Sequence, residues 1–256
     1  MSISRLSHIL SICVIAIGLS TASARAQQTT LIADVSQDDV AITTTFHGTQ
    51  LLLFGAVSGQ AGDELAVIIS GPESKIATRR KEKIGGIWIN RDAVIWKNAP
   101  SYYQIFLTST LDDVADNKTR QIHEIGFENL PLLTEKTAIP LDEVNGLWRD
   151  ALARTMADEN LWRTHENAVT LMSDALFRVT VPLPKNIRPG DYDVRVLHFR
   201  DGELLGENEN NISVAKRGIG ALIYRFAHEY SIFYGIFAVL IAVASGWLAA
   251  VAFRRA

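Results

Sequence analysis

Residues 189–205, PGDYDVRVLHFRDGELL, carry the strongest indication of the fold. Tyr192, Val194 and Val196 alternate with Asp193 and Arg195, which is the period-two pattern of a strand with two unlike faces. The Asp-Gly pair that follows is a preferred dipeptide for a tight turn between antiparallel strands. The segment therefore predicts a β-hairpin whose first strand has one buried face.

Upstream of this hairpin, residues 30–108 contain short runs of β-branched and aromatic residues, separated by glycine and proline turns. Strands at this spacing are typical of an antiparallel sandwich. An amphipathic helix is predicted from 141 or 142 to about 164, because apolar residues recur there at helical spacing. We expect a mainly β fold: an immunoglobulin-like antiparallel β-sandwich over 27–215 with a helical insertion at about 109–168. Two separate lobes are the alternative.

Downstream, residues 232–253 read IFYGIFAVLIAVASGWLAAVAF and carry no charge. As a helix they span about 33 Å, which matches a hydrocarbon core of about 30 Å. We expect a transmembrane helix here, preceded by a juxtamembrane helix at 216–231. Arg254 and Arg255 follow at once, and the positive-inside rule assigns residues 254–256 to the cytoplasm.

The first 26 residues have the pattern of a signal peptide, with one arginine (Arg5) before an apolar run and small residues at Ala24 and Ala26. Cleavage is expected after Ala26 or Ala24, and the domain that follows is expected in the periplasm. The single cysteine, Cys13, lies within this leader, so no disulfide or thiolate site is predicted in the mature chain.

The exported part of the chain is acidic. Between positions 34 and 229 lie 28 acidic and 21 basic residues, a formal charge of −7. Nucleic-acid binding needs a basic surface, so no nucleic-acid partner is expected.

No motif for catalysis, cofactor binding or metal binding is found, and no such site or cofactor is predicted. The histidines lack the spacing of metal ligands, and no Gly-x-Ser-x-Gly elbow is present. If the protein were a membrane-tethered enzyme, the residues to test would be His165, Glu166, Asp174 and His198.

One cluster is a candidate interaction surface. Arg79, Lys81 and Lys83 would point to the same side of a strand, and Trp88 and Arg91 follow within a few residues. Such a surface would bind anionic headgroups or an acidic loop of a partner. The alternative is an exposed edge strand that its charges protect from aggregation.

The predicted membrane helix has a candidate packing face. Gly235 and Gly246 are eleven residues apart, about three helical turns, and Ala242 lies between them. Small residues allow helices to approach closely in lipid, so a helical membrane partner is expected. Alanine-rich membrane helices are also common without one.

Five stretches carry a family resemblance: GTQLLLFGAV (48–57), RRKEKIGGIWINRDAV (79–94), PSYYQI (100–105), PLPKNIRPGDYDVRVLHFRDGELL (182–205) and YGIFAVLIAVASGWLAAVAFRR (234–255). From about 31 to 255 the chain resembles an uncharacterised family of alphaproteobacterial transmembrane proteins. The resemblance implies a Gram-negative inner membrane and a periplasmic domain. It transfers no functional residue.

The combined expectation is a single-pass inner-membrane protein. Its periplasmic domain would act as an interaction or accessory module, and its partners would be the lipid bilayer and another inner-membrane protein. A membrane-tethered envelope enzyme and a periplasmic ligand-binding module are the alternatives.

Overall fold

The structure is a computed structural model that describes residues 31–173 and 175–254. The predicted signal peptide, 1–26, lies outside the described residues. The mainly β prediction is confirmed, because the described part of the chain forms three sheets and a single long apolar helix. The strands are β1 (Leu31–Val35), β2 (Asp39–Ile42), β3 (Gly48–Val57), β4 (Glu64–Ser70), β5 (Glu73–Ile84), β6 (Ile87–Pro100), β7 (Tyr103–Leu107), β8 (Trp162–His165), β9 (Thr170–Met172), β10 (Leu176–Pro184), β11 (Gly190–Arg200) and β12 (Glu203–Lys216).

Two of the sheets enclose the hydrophobic core. A four-stranded sheet has the order β1-β3-β10-β9, and a six-stranded sheet has the order β2-β12-β11-β4-β7-β8. The pairs β2–β12 and β7–β8 are parallel and the other pairs are antiparallel. Leu53 and Val179 from the first sheet share one core with Val67 and Val196 from the second. The immunoglobulin-like topology stays a prediction.

The hairpin predicted at 201–202 forms. Arg200 pairs with Glu203, and Asp201 and Gly202 both have positive φ, at 50° and 79°. This left-handed pair matches the right-handed twist of the flanking strands. Tyr192, Val194 and Val196 are fully buried, as their alternation predicts.

Short helices lie between β7 and β8. They are α1 (Leu111–Val114), α2 (Asn117–Ile122), a 3₁₀ turn (Phe127–Asn129), α3 (Leu141–Glu143), a π-helical segment (Val144–Trp148) and α4 (Arg149–Asp158).

The helix predicted to continue to about 164 ends at Asp158, so that part of the prediction is wrong. Asn160 adopts a left-handed conformation with φ of 57°. The Asn160 amide donates to the Ala157 carbonyl, and the Leu161 amide donates to the Met156 carbonyl. These two bonds form a Schellman cap. The residues that follow form β8, which extends the six-stranded sheet beside β7.

Two helices follow β12. Helix α5 (Ile219–Glu229) is separated from α6 (Ser231–Phe253) by Tyr230, whose φ of −124° and ψ of 46° interrupt the helical path. Among the described residues, α6 is the one helix whose length and composition suit a membrane span. The predicted C-terminal apolar helix is therefore confirmed.

Candidate functional site

Two neighbouring strands of the six-stranded sheet extend beyond the sandwich. Strand β4 continues as β5, and β6 leads back into β7. Ser70 pairs with Tyr103 inside the six-stranded sheet, and Glu73 pairs with Pro100 outside it. The Gly71 amide donates to the Tyr102 carbonyl at 2.7 Å, which bridges the two pairings. The four strands therefore form one continuous two-stranded ribbon, whose outer part leaves the sheet.

Residues 73–78 and 92–100 form the stem of this ribbon, which is covered by the chain between the 3₁₀ turn and α3. The Lys97 amide donates to the Leu133 carbonyl at 2.8 Å, and the Glu135 amide donates to the Ile95 carbonyl at 2.9 Å. Trp96 is buried, and its indole N–H donates to the Thr78 hydroxyl at 2.9 Å. The chain between the 3₁₀ turn and α3 therefore holds the two strands of the stem in place.

Arg80 marks the point at which the cover ends. Its guanidinium contacts Glu143 at 3.0 Å and Asp92 at 2.5 Å, and it lies 5.6 Å from the centre of the Trp148 ring. The hydrogen bond to Asp92 is the main reason that the pKa of Arg80 is raised. Arg80 thus joins the hairpin to the helical segment that contains Trp148.

Beyond Arg80 the ribbon is exposed on both faces. We call residues 79–91 the hairpin tip, because every one of them is exposed. Gly85 and Gly86 form its two-residue turn with φ of 58° and 88°, conformations that favour glycine. Ile87 is 69% exposed and Trp88 is 64% exposed. Large apolar side chains at the end of a solvent-exposed hairpin indicate a contact surface.

The residues of the predicted interaction surface all lie in the hairpin tip. Lys83 is directly opposite Trp88, and Lys81 is opposite Asn90, so Arg79, Lys81, Lys83 and Trp88 share one face. Arg91 lies beside a bulge and forms an ion pair with Glu82 at 2.8 Å. Among the described residues, no carboxylate forms an ion pair with Arg79, Lys81 or Lys83.

Sequence reasoning missed the apolar residues of the opposite face. Ile84 pairs with Ile87, and Ile89 follows on the same side. The signal was present in IGGIWI at 84–89, because turns at the surface normally carry polar residues. The hairpin tip therefore combines a basic face and an apolar face.

The outer face of the four-stranded sheet carries a second exposed apolar surface, which sequence reasoning also missed. Register places Ile32, Ala56, Leu176 and Met172 directly opposite one another across all four strands. We call these four residues the outer-face row; Leu52 and Phe54 extend it on β3, and all six side chains are exposed. The available signal was the run LLLF at 51–54, in which the solvent-facing positions are also apolar.

A buried polar cluster lies where β4 begins. The Asp63 carboxylate accepts two hydrogen bonds from Arg200, at 2.6 and 2.8 Å, and one from His198 at 2.8 Å. The bond from Arg200 is the largest cause that lowers the pKa of Asp63 well below its usual range. The other ring nitrogen of His198 is buried without a partner among the described residues. The cluster ties the β3–β4 turn to β11.

The residues considered for catalysis are not brought together. His165 bonds to Gln104 at 2.9 Å and stacks on Phe106, whereas the Glu166 carboxylate accepts from the Leu111 amide at the start of α1. Strands β7 and β4 separate His165 from His198 in the sheet, and Asp174 lies outside the described residues. Across 31–173 and 175–254, no three histidine, cysteine or acidic side chains form a metal-binding group.

An open groove of about 580 Å³ lies on the six-stranded sheet beside the helical segment. Tyr103, Glu124, Asp193, Arg195 and Glu209 contribute to its lining. Arg195 bonds to the His123 carbonyl at 3.0 Å, so this guanidinium is partly engaged.

The candidate packing face of α6 is uncovered. At about 100° per residue, Gly235, Ala242 and Gly246 lie within about 40° of one another around the helix. A Cβ atom added at Gly235 or Gly246 would meet no atom within 4 Å. Nothing that the structure describes occupies this face.

Among the described residues, a β-rich domain is followed by one apolar helix long enough to span a membrane, α6. This is the architecture of a membrane-anchored protein. Residues 30–255 match the sequence model of the family described as "Putative transmembrane protein (Alph_Pro_TM)". The chain belongs to this family of alphaproteobacterial transmembrane proteins. No curated protein matches the chain.

Proposed function

We propose that this protein is a single-pass inner-membrane protein whose β-sandwich lies in the periplasm and serves as an interaction or accessory module for another inner-membrane protein. The observation that carries the proposal is the apolar outer face of the four-stranded sheet. Contiguous apolar surface of this kind is uncommon on soluble monomers and often marks a docking site.

The outer-face row has the arrangement of an interface centre with a polar rim. On one side of the row, Phe54 lies between Asp34 and Arg178, its direct neighbours on the adjacent strands. Protein interfaces often combine aromatic residues at the centre with charged residues around it. The same sheet buries its other face in the core through Leu51, Leu53 and Val179.

The proposed orientation follows from charge. Arg254 and Arg255 directly follow α6, and basic residues beside a membrane helix favour the cytoplasmic side. The domain before α6 is then periplasmic. The small-residue face at Gly235, Ala242 and Gly246 supports a helical partner in the same membrane.

Photo-crosslinking in intact cells tests the docking surface. A photoreactive amino acid at Phe54 should crosslink to a second membrane protein, whereas the same group at Glu203, the first residue of β12, should not. Leu176→Asp should abolish the crosslink at position 54 without unfolding the domain. Crosslinks of equal yield at positions 54 and 203, or crosslinks at 54 only between copies of this chain, would contradict the proposal.

Orientation is tested separately. In a Cys13→Ser background, Glu203→Cys should react with a membrane-impermeant maleimide once the outer membrane is permeabilised. Labelling that requires rupture of the inner membrane would place the domain in the cytoplasm and refute the periplasmic assignment.

A further inference from the structure

We propose that the hairpin tip is a second membrane contact: its basic face binds anionic phospholipid headgroups, and Ile84, Ile87 and Trp88 enter the interfacial layer of the bilayer that holds α6. This inference rests on membrane anchoring by α6. It is independent of the protein partner proposed above, which would dock on a different sheet.

The chemistry of the hairpin tip fits a bilayer surface. Residues 79–91 contain five basic side chains and one acidic one, a formal charge of +4, in a domain whose overall charge is negative. Basic segments close to a bilayer are attracted to anionic lipids. Trp88 is the aromatic type enriched at membrane interfaces, and it lies directly opposite Lys83.

The topology places the hairpin at the end of the domain from which the chain leaves for the membrane. Ser70 pairs with Asp193, and Asp193 pairs with Asn211. Strand β4 leads from this level into the hairpin, and β12 leads from the same level to Lys216 and α5. Both segments therefore run out of the same end of the six-stranded sheet, two strands apart.

The hairpin is also long enough. From Ser70 to Gly85 the extended chain covers about 50 Å at about 3.3 Å per residue. From Asn211 to Ser231 the chain covers at most about 48 Å, because it contains a short strand segment, a connection and the helix α5. The hairpin tip can thus reach the level at which α6 begins.

The anchor at Arg80, where the hairpin tip meets the stem, provides the rigidity that such a contact needs. Isolated two-stranded hairpins are only marginally stable in water, but here Arg80 joins the ribbon to Glu143 and Trp148. Beyond Arg80, residues 81–91 are all exposed. A bilayer surface would bury its apolar side chains and neutralise its charge together.

An environment-sensitive fluorophore on the full chain in nanodiscs tests this contact. In a Cys13→Ser background, the NBD fluorophore is attached at Trp88→Cys or, as a control, at Glu203→Cys. In nanodiscs that contain phosphatidylglycerol, the label at 88 should shift to the blue, brighten several-fold and be quenched by nitroxide-labelled lipids. The label at 203 should report water in the same discs.

Charge variants test the role of the headgroups. Lys81→Glu with Lys83→Glu should abolish lipid quenching at position 88, whereas Lys97→Glu, in the covered stem, should leave it intact. Discs of phosphatidylcholine alone should give weaker quenching. Circular dichroism and the label at 203 verify that each variant is folded.

Several outcomes would overturn the inference. The label at 88 could report water in anionic discs, or be quenched equally with and without the charge reversals. A label that becomes protected only in native membranes, and not in nanodiscs, would assign the hairpin tip to a protein partner. Disulfide-linked dimers through position 88 would assign it to a second copy of the chain.

Discussion

The two halves of one ribbon have opposite environments. In β4 and β7 the ribbon is buried, since Leu65 to Ile69 are at most 1% exposed and Tyr103 to Leu107 are at most 2% exposed. In the hairpin tip every residue is exposed. The same backbone pairing therefore contributes to the core in β4 and β7 and forms an exposed surface in the hairpin tip. The chemistry of the side chains determines which environment each half has.

The sequences of the two halves explain this difference. Strand β4 reads ELAVIIS and β7 reads YQIFL, near-continuous apolar runs that are typical of strands covered on both faces. Strand β5 instead ends in RRKEKI, in which charged side chains would be costly to bury. We therefore expect truncation of a side chain to reduce stability in β4 and β7, the base of the ribbon, and to affect only intermolecular contacts in the hairpin tip.

The largest difference is expected between Phe106→Ala and Ile87→Ala. Phe106 is 2% exposed and stacks on His165, so its truncation should lower the free energy of unfolding by about 3–5 kcal/mol. Ile87→Ala should change it by less than about 0.5 kcal/mol. Denaturant unfolding of the full chain in neutral detergent measures both; similar losses would mean that the hairpin tip is packed.

A smaller difference is expected between the ion pairs at the two ends of the ribbon. Asp63→Asn leaves His198 and Arg200 without their buried carboxylate and should cost about 2–3 kcal/mol. Glu82→Gln, which breaks the exposed pair with Arg91, should produce no resolvable change. Denaturant unfolding in neutral detergent measures both changes. An Asp63→Asn protein with the same free energy of unfolding as the unchanged chain would show that the buried cluster contributes nothing to stability.

The same cluster predicts a pH dependence. Because Arg200 lowers the pKa of Asp63 in the folded state, the unfolded chain takes up this proton first as the pH falls. The contribution of Asp63 is present above its unfolded pKa of about 3.9 and is lost progressively below it. Acid unfolding of Asp63→Asn should have a shallower dependence in this range; an unchanged slope would refute the assignment.

Glycines at the root and at the turn of the hairpin should differ for another reason. A Cβ at Gly71 would lie 2.6 Å from the Tyr192 ring and 3.0 Å from the Tyr102 Cβ, so Gly71→Ala should cost about 1–3 kcal/mol. At Gly85 a Cβ meets nothing, and only its φ of 58° resists substitution; Gly85→Ala should cost about 1 kcal/mol. Thermal unfolding measures both losses of stability. A larger loss for Gly85→Ala than for Gly71→Ala would contradict this prediction.

The smallest effect is expected for Trp88→Ala. Because this side chain is 64% exposed, the midpoint of thermal unfolding in neutral detergent should stay unchanged. The same substitution should weaken the membrane contact of the hairpin tip. A large loss of stability in detergent would show that Trp88 packs within the domain.

Local patterns predicted part of this architecture. The alternation around Tyr192 and the Asp201-Gly202 turn depend on neighbouring residues, and both are confirmed. Spacing alone does not predict the end of the long helix, because Trp162 continues the helical spacing of apolar residues although Asn160 terminates the helix. Deciding between these signals requires the pairing of β8 with β7, which is a tertiary contact.

Distant pairings explain what the sequence did not indicate. Asp63 and His198 are 135 residues apart and meet only through the pairing of β4 with β11. The outer-face row likewise combines residues from β1, β3, β9 and β10. The basic cluster of the hairpin tip could be predicted from the sequence because Arg79, Lys81 and Lys83 lie within five positions of one another, whereas their distance from the core depends on the whole ribbon.

Hydrogen exchange along the ribbon tests the central claim most directly. In the full chain in neutral detergent, the amides of β4 and β7 should exchange orders of magnitude more slowly than those of residues 81–91, because only the former lie in the core. Transfer to nanodiscs with anionic lipid should slow exchange in the hairpin tip and leave the base unchanged. Equal protection of tip and base in neutral detergent would contradict the account.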